Sequence, residues 1–186
     1  MSTPTSAALP AADPTSIRLR PHRPGDIGWA VAAQGEGYAR EYGWDIRFES
    51  LVARIAADFI DRLQPGREAC WIAERSVGGE ARRLGCVFLV QARDDRHDRP
   101  VPHTAQLRML WVEPAGRGLG LGRRLVQTCT AFARQAGYRR IQLWTQSNLD
   151  AARAIYAAEG YRRVATEPHE SFGASLVGEN WLLELE

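Results

Sequence analysis

The residues best placed to do chemistry form one contiguous stretch, Val112-Glu113-Pro114-Ala115-Gly116-Arg117-Gly118-Leu119-Gly120-Leu121-Gly122-Arg123-Arg124-Leu125. An apolar run from Leu107 to Val112 leads into it, and a helical stripe of Leu125, Val126, Cys129, Phe132 and Ala133 leaves it. A junction of this kind exposes the first amides of a helix, which have no internal acceptor, at the positive end of the helix dipole. Glycines at 116, 118, 120 and 122 keep side chains out of the way, so the stretch predicts a cradle for a pyrophosphate.

Spacing decides which cradle it is. A dinucleotide fingerprint, G-x-G-x-x-G, is met at Gly118 and Gly120 but fails at Arg123, and a Walker loop needs a lysine, which the chain lacks altogether. What fits is R-x-x-G-x-G, as Arg117-Gly118-Leu119-Gly120-Leu121-Gly122, preceded by V-x-P at Val112 to Pro114. On these residues the chain resembles the GCN5-related N-acetyltransferases, the GNAT family. The resemblance implies acetyl-CoA as cofactor, with its diphosphate on the Arg117 to Gly122 loop. It also places a backbone donor for the thioester carbonyl near Leu110, Trp111 and Val112. Arg123, Arg124 and Arg153 are cations for the cofactor phosphates or, equally, parts of a solvated face.

A second stretch, Thr145 to Tyr161, carries the rest of the resemblance. In the family an Asn at the start of this helix contacts the cofactor, and a Tyr before its last turn, followed by G-[FY], reaches the sulfur. Asn148, Tyr156 and Gly160-Tyr161 occupy those positions. Read by themselves, Asn148 is an N-cap and Tyr156 an aromatic on the apolar stripe of an amphipathic helix. In the family context Tyr156 is the candidate general acid.

The implied reaction is direct acyl transfer from a thioester to an amine. An alkyl ammonium must first lose its proton, at a cost of roughly 4 kcal/mol at neutral pH. Glu36, Glu41, Asp45, His103 and Gln106 all lie where a base is expected, and Glu41 is the one put forward. Glu113 sits beside the loop but is expected in solvent. Three aromatics at Tyr38, Tyr42 and Trp44 suit either an amine pocket or an interhelix packing corner, and Glu170 to Gly173 is placed to close over it. The stretches 20–44 and 169–178 further resemble the acetyltransferase half of bacterial fusions to MarR-type regulators. A different class of function, a non-catalytic acyl-CoA-binding sensor, would keep the glycine loop and need neither Tyr156 nor a base.

The elements that must hold these residues follow from periodicity. A chain of 186 residues supports one domain, and residues 1–15, polar and proline-broken, read as a disordered tail. Order begins with a strand at Ile17. Asp26 is the expected cap of a first helix through Trp29, Val31 and Tyr38, weakened by Gly35 and Gly37. Asp45 caps a second helix, with the stripe Phe48, Leu51, Val52, Ile55, Phe59 and Leu63. Strands at 69–75 and 84–91 form a hairpin, and Asp94 to Pro102 is expected as a mobile loop. A strand at 104–112, the glycine loop and a helix ended by Gly137 follow, then a strand at 140–145. Ser147-Asn148 is expected to cap a fourth helix closed by Gly160, and strands at 161–165 and 180–185 end the chain. The order β-α-α-β-β-β-α-β-α-β-β predicts an α/β mixed sheet of about seven strands with four helices, over residues 17–186. It is also the element order of the GNAT fold.

Composition sets the remaining bounds. A net charge of +2 argues against a nucleic-acid partner, although all 24 basic residues are arginine. No long uncharged apolar run exists, so no membrane span is expected and a soluble, cytoplasmic protein is. Cys70, Cys86 and Cys129 lack metal-ligand spacing and are read as buried thiols; no metal is expected. The partners predicted are a small-molecule or peptide amine and, as for many such folds, a second copy in a homodimer.

Overall fold

The computed structural model describes residues 17–78, 80–94 and 96–185, so the tail predicted over residues 1–15 lies outside the described residues. Seven strands form one sheet: β1 (Ile17–Pro21), β2 (Ala69–Val77), β3 (Glu80–Arg93), β4 (Pro100–Val112), β5 (Arg140–Gln146), β6 (Arg162–Ser171) and β7 (Ala174–Glu184). Their spatial order is β1-β2-β3-β4-β5-β7-β6, antiparallel throughout except for the parallel pair β4 and β5. The four helices are α1 (Asp26–Tyr42), α2 (Ile46–Arg62), α3 (Leu121–Gln135) and α4 (Asp150–Ala158).

Strand alternation sorts the core onto two faces. On β3, Cys86 and Phe88 join Phe48, Val52 and Phe59 of α2, whereas Val87 and Leu89 join Leu125, Val126 and Cys129 of α3. Both faces are covered, which is why β3 reads as a continuous buried run instead of a half-polar strand. Leu125 is fully buried on the α3 side, a burial that stabilises by about 1.5–3 kcal/mol. All three cysteines are free and buried, and burial pushes each thiol well above its ordinary pKa.

Helix ends behave as predicted in some places and not in others. Asp45 does cap α2, accepting from the Arg47 amide at 3.0 Å. Gly137, at φ +78°, ends α3, with the Tyr138 amide reaching back to the Ala133 carbonyl. Asp26 is not a cap: Gly25 holds that position, and Asp26 is the first helical residue, with no exposure to solvent. Its carboxylate accepts from Arg20 (2.5 Å), Arg83 (2.7 Å) and the Arg23 amide (2.8 Å). Burial would raise its pKa, but Arg20, Arg83 and the Arg23 amide outweigh that and hold it below the usual carboxylate range.

Ser147-Asn148 does not cap α4 either. The N-cap is Leu149, without a side-chain bond, and residues 147–148 form a turn closed by the Leu149 amide on the Gln146 carbonyl, with the Ser147 amide taken by the Val177 carbonyl. The loop predicted from Asp94 to Pro102 is shorter, because β3 runs to Arg93 and pairs there with Pro100. Asp94 accepts from the amides of Arg96 and His97, and Asp98 from Arg62 and Arg93.

Candidate active site

The site begins with a fault in β4. Phe88 lies opposite Arg108 and Cys86 opposite Trp111, so β4 has one more residue than β3 between those pairs. Met109 absorbs it at φ +52°, a conformation uncommon outside glycine, and the Cys86 thiol donates to its freed carbonyl at 3.5 Å. Met109 and Leu110 belong to neither ladder register. On the other edge, β4 and β5 pair only from Thr104↔Arg140 to Gln106↔Gln142. Beyond that the strands part, and the gap between them is the cleft.

Two cavities meet in this cleft. The first, about 420 Å³, is walled by the glycine loop, by Leu110, Trp111 and Val112 of β4, by Tyr38, Glu41 and Tyr42 of α1, and by Leu149, Ala151, Ala152 and Ile155 at α4. The second, about 390 Å³, lies between α1, α2, α4, β4, β5 and β7. Tyr38, Leu110, Leu149 and Ala152 line both, so the cavities share a wall made of these four residues.

In the glycine loop a 3₁₀ turn, Pro114–Gly116, leads to Gly118 (φ +75°) and Gly120 (φ +68°), both left-handed. A Cβ at either would meet nothing within 4 Å, so the outer side of the loop is clear. Gly122 has another purpose: a Cβ there would lie 2.8 Å from Ile155, so its bareness lets α3 approach α4. The first intrahelical bond of α3 runs from the Arg124 amide to the Gly120 carbonyl, leaving the amides of Leu121, Gly122 and Arg123 without a helical acceptor. Trp111 lies against Gly37, where a Cβ would stand 2.0 Å from the indole, and its buried Nε1 has no partner. An open left-handed loop, unpaired helix amides and an orphaned donor along one cavity fit a ligand with a diphosphate end.

The other predicted residues divide. Arg117 and Arg123 line the first cavity, and Leu119 is half exposed and lines neither. Arg117 donates through Nη2 to Glu41 at 2.7 Å and through Nε to the Val112 carbonyl at 3.2 Å. The hydrogen bond it donates to Glu41 raises the pKa of Arg117. Glu41 is therefore an anchor for the glycine loop, on the far side of the shared wall from the second cavity. It lines the first cavity and not the second. Arg153 is committed elsewhere, to Glu179 and Asp150, both at 3.0 Å, and does not line the first cavity as expected of a phosphate ligand. Arg124 donates to the Ile17 carbonyl, and Asn148 is exposed and lines neither cavity.

Tyr156 lines the second cavity and is 4% exposed. Burial, then the neighbouring Tyr38 and Tyr161, push its pKa well above 10, so its hydroxyl stays protonated across the working range. The space expected between Tyr42, Trp44 and Phe172 is filled by the rings themselves, with Trp44 5.7 Å from Tyr42 and 5.2 Å from Phe172. The corner packs and also supplies walls, Tyr42 to the first cavity and Trp44 to the second.

Sequence reasoning missed the strand fault at Met109, because a methionine with left-handed backbone carries no glycine or asparagine signal. It also missed the polar lining of the second cavity, Gln34, Gln106, Arg108, Gln142, Gln146 and Asn180. These residues come from four elements and share no local pattern.

Comparison with known proteins places this architecture. The model of the acetyltransferase (GNAT) family matches residues 37–161. An uncharacterized N-acetyltransferase of Schizosaccharomyces pombe is 28% identical over 132 residues, 71% of this chain and 73% of that protein. A mycothiol acetyltransferase of Sanguibacter keddieii is 28% identical over 89% of this chain, which spans only 50% of that protein. The solved structure of yncA from Salmonella typhimurium with its cofactor acetyl-CoA aligns with a TM-score of 0.71 at 19% identity, over 91% of this chain and 94% of that one. A GCN5-related N-acetyltransferase from Kribbella flavida aligns at 0.69 and 19% identity, over 91% and 98%. Among the described residues no helix is long and apolar enough to cross a membrane. With the family model covering the glycine loop, both walls of the cleft and Tyr156, this chain belongs to the GNAT acetyltransferase family, whose cofactor is acetyl-CoA.

Proposed function

We propose that this chain transfers an acetyl group directly to the primary amine of a small molecule or peptide, with the thioester on the glycine-loop side of the shared wall and the amine on the other. The observation that carries this reading is the meeting of two cavities at Leu110, with Tyr156 lining the second. Acetyl-CoA, when bound, supplies the activated acetyl group. The amides of Leu121, Gly122 and Arg123, with the backbone of Gly118 and Gly120, would hold its diphosphate, and Arg123, which also pairs with Glu159, would add a cation. Arg117 keeps the loop in place through Glu41 and Val112. The Leu110 amide, outside both ladders, is the donor for the carbonyl oxygen.

Tyr156 gives its proton to the departing sulfur. A phenol held well above its ordinary pKa is a weak acid in water, but a thiolate leaving into an apolar cavity is a strong enough base to take that proton. No cysteine relays the acyl group, since all three thiols are buried in the core with raised pKa. Among the described residues lining the second cavity there is no carboxylate and no imidazole. The amine accordingly loses its proton to water as it enters, helped by Trp44, Phe48 and Val52, whose apolar surface disfavours the ammonium form.

Thiol release from acetyl-CoA, measured with a panel of primary amines and checked by the mass of the acetylated product, tests this. Turnover with at least one amine is expected. Tight CoA binding with no turnover on any acceptor would replace the enzyme with a sensor.

A further inference from the structure

Gln146, the last residue of β5, stands where β4 and β5 have parted, and it lines the second cavity. It is 2% exposed, and its Nε2 is buried with no hydrogen-bond partner. Its Oε1 lies 3.1 Å from His169 Nε2, and His169 Nδ1 lies 2.8 Å from Ser171 Oγ. This chain gives each group one role: the Ser171 hydroxyl donates to Nδ1, the Nε2–H of His169 donates to Gln146, and the N–H end of the amide is left unanswered. Gln34, the other deeply buried amide of this cavity, commits its donor to the Ala30 carbonyl at 3.2 Å. Gln146 is also tied to the shared wall, because its backbone carbonyl accepts from the Leu149 amide at 3.1 Å.

A buried donor without an acceptor destabilises the empty site and favours a ligand that brings an acceptor to it. The acceptor that fits is uncharged. Arg108, the one charged side chain among the described residues lining this cavity, donates to Gln106 at 3.3 Å and also lines the neighbouring cavity that holds Asp58, Glu68, Asp94 and Asp98. A carboxylate on Gln146 would therefore be buried without a counterion of its own. A carbonyl oxygen only accepts, whereas a hydroxyl brings a proton that needs a partner in turn. Because Gln146 is bonded to the wall where the amine would meet the thioester, the oxygen it reads lies close to the reacting nitrogen. We infer that the acceptor is an α-amino amide, the first residue of a peptide or an aminoacyl group in amide linkage, whose carbonyl oxygen takes a hydrogen bond from Gln146 Nε2. His169 is the positioning residue that keeps the amide from turning over. This rests on reading the second cavity as the acceptor side. The transfer is unchanged: a C–N bond forms and the C–S bond breaks. Of the two protons the ammonium loses, one goes to solvent and the other ends on the sulfur, which leaves as the thiol.

The test measures kcat/KM, expressed per neutral amine, for L-leucinamide, isopentylamine, L-leucinol and L-leucine in the full chain. Leucinamide should be favoured over isopentylamine by about tenfold or more, although it is the weaker base and so the poorer nucleophile. Gln146→Leu should cut that preference to about twofold or less. His169→Leu keeps the donor but lets it turn, and should lower the preference at least about threefold. A variant that merely folds badly lowers both acceptors together and leaves the ratio standing. If Gln146→Leu does not fold, His169→Leu, at a partly exposed position, carries the variant arm. Isopentylamine, leucinol or leucine equal to leucinamide in the unsubstituted protein would overturn the inference while amine acetylation stands, as would a preference preserved in the folded variants. No turnover on any amine, with CoA still bound, would overturn the acetyl-transfer reading itself.

Discussion

The two cavities differ in what they are made of. The first is mostly backbone: a left-handed glycine loop, three unpaired amides at the head of α3, and the bent end of β4. The second is mostly side chain, with five amides, one guanidinium and a set of aromatic rings drawn mainly from α1, α2, α4, β4, β5 and β7. A backbone site grips what every acetyl-CoA offers, whereas a side-chain site can be rebuilt one residue at a time. The binding end of this enzyme is therefore expected to be general to its fold, and the acceptor end particular to this chain.

The comparison breaks most visibly at Tyr156, which lines the second cavity yet is proposed to act at the wall. Tyr156→Phe should lower kcat by about 100- to 10,000-fold, the usual weight of a general acid, with CoA affinity within twofold in calorimetry. A variant as active as the parent would remove the hydroxyl from the reaction. Gly120→Asp attacks the other side. A carboxylate at the left-handed N-cap of α3 would oppose the anion the loop is proposed to hold, and CoA binding should weaken by about 100-fold, roughly 3 kcal/mol. Undiminished affinity would mean that the diphosphate sits elsewhere.

The difference between the cavities also marks what could be read beforehand. The loop was legible because its residues are consecutive and its chemistry is a spacing of glycines. Element order was legible because 3.6- and 2-residue periods survive in α2, α3 and β4. The failures all needed distant partners. Asp26 reads as a cap from its neighbours, but Arg83, 57 residues away, makes it the centre of a buried ion cluster. Gly37 reads as a weak point in α1, but Trp111 needs the space its missing side chain leaves.

A third test concerns protons, where the two cavities have opposite equipment. Since no acid or imidazole lines the acceptor side among the described residues, kcat/KM should rise about tenfold per pH unit until the amine's own pKa is reached. The sign follows from the neutral amine being the nucleophile, so each unit below its pKa leaves a tenth as much of it. Tyr156, raised well above 10, should add no falling limb below that pH. A plateau reached between pH 6 and 7 with an amine of ordinary pKa, about 10, would reveal a side-chain base and reopen the search for it.

The smallest effect is expected at Glu41, and it is the one that separates anchor from base. Its bond to Arg117 is partly exposed, 23% on the glutamate side and 46% on the arginine side, so the pair is worth about 0.2–1 kcal/mol. Glu41→Gln keeps the size and one hydrogen-bond acceptor while removing the charge. The loop should loosen slightly, raising KM for acetyl-CoA about two- to fivefold, because Arg117 then holds the loop mainly through Val112. Neither kcat nor the slope of the pH profile should change, since no proton passes through Glu41 when it stands on the cofactor side of the wall. A fall in kcat of about 100-fold with acetyl-CoA saturating, accompanied by loss of an acidic limb, would return Glu41 to the role of base. It would also mean that the wall formed by Tyr38, Leu110, Leu149 and Ala152 opens during turnover, so that the two cavities work as one.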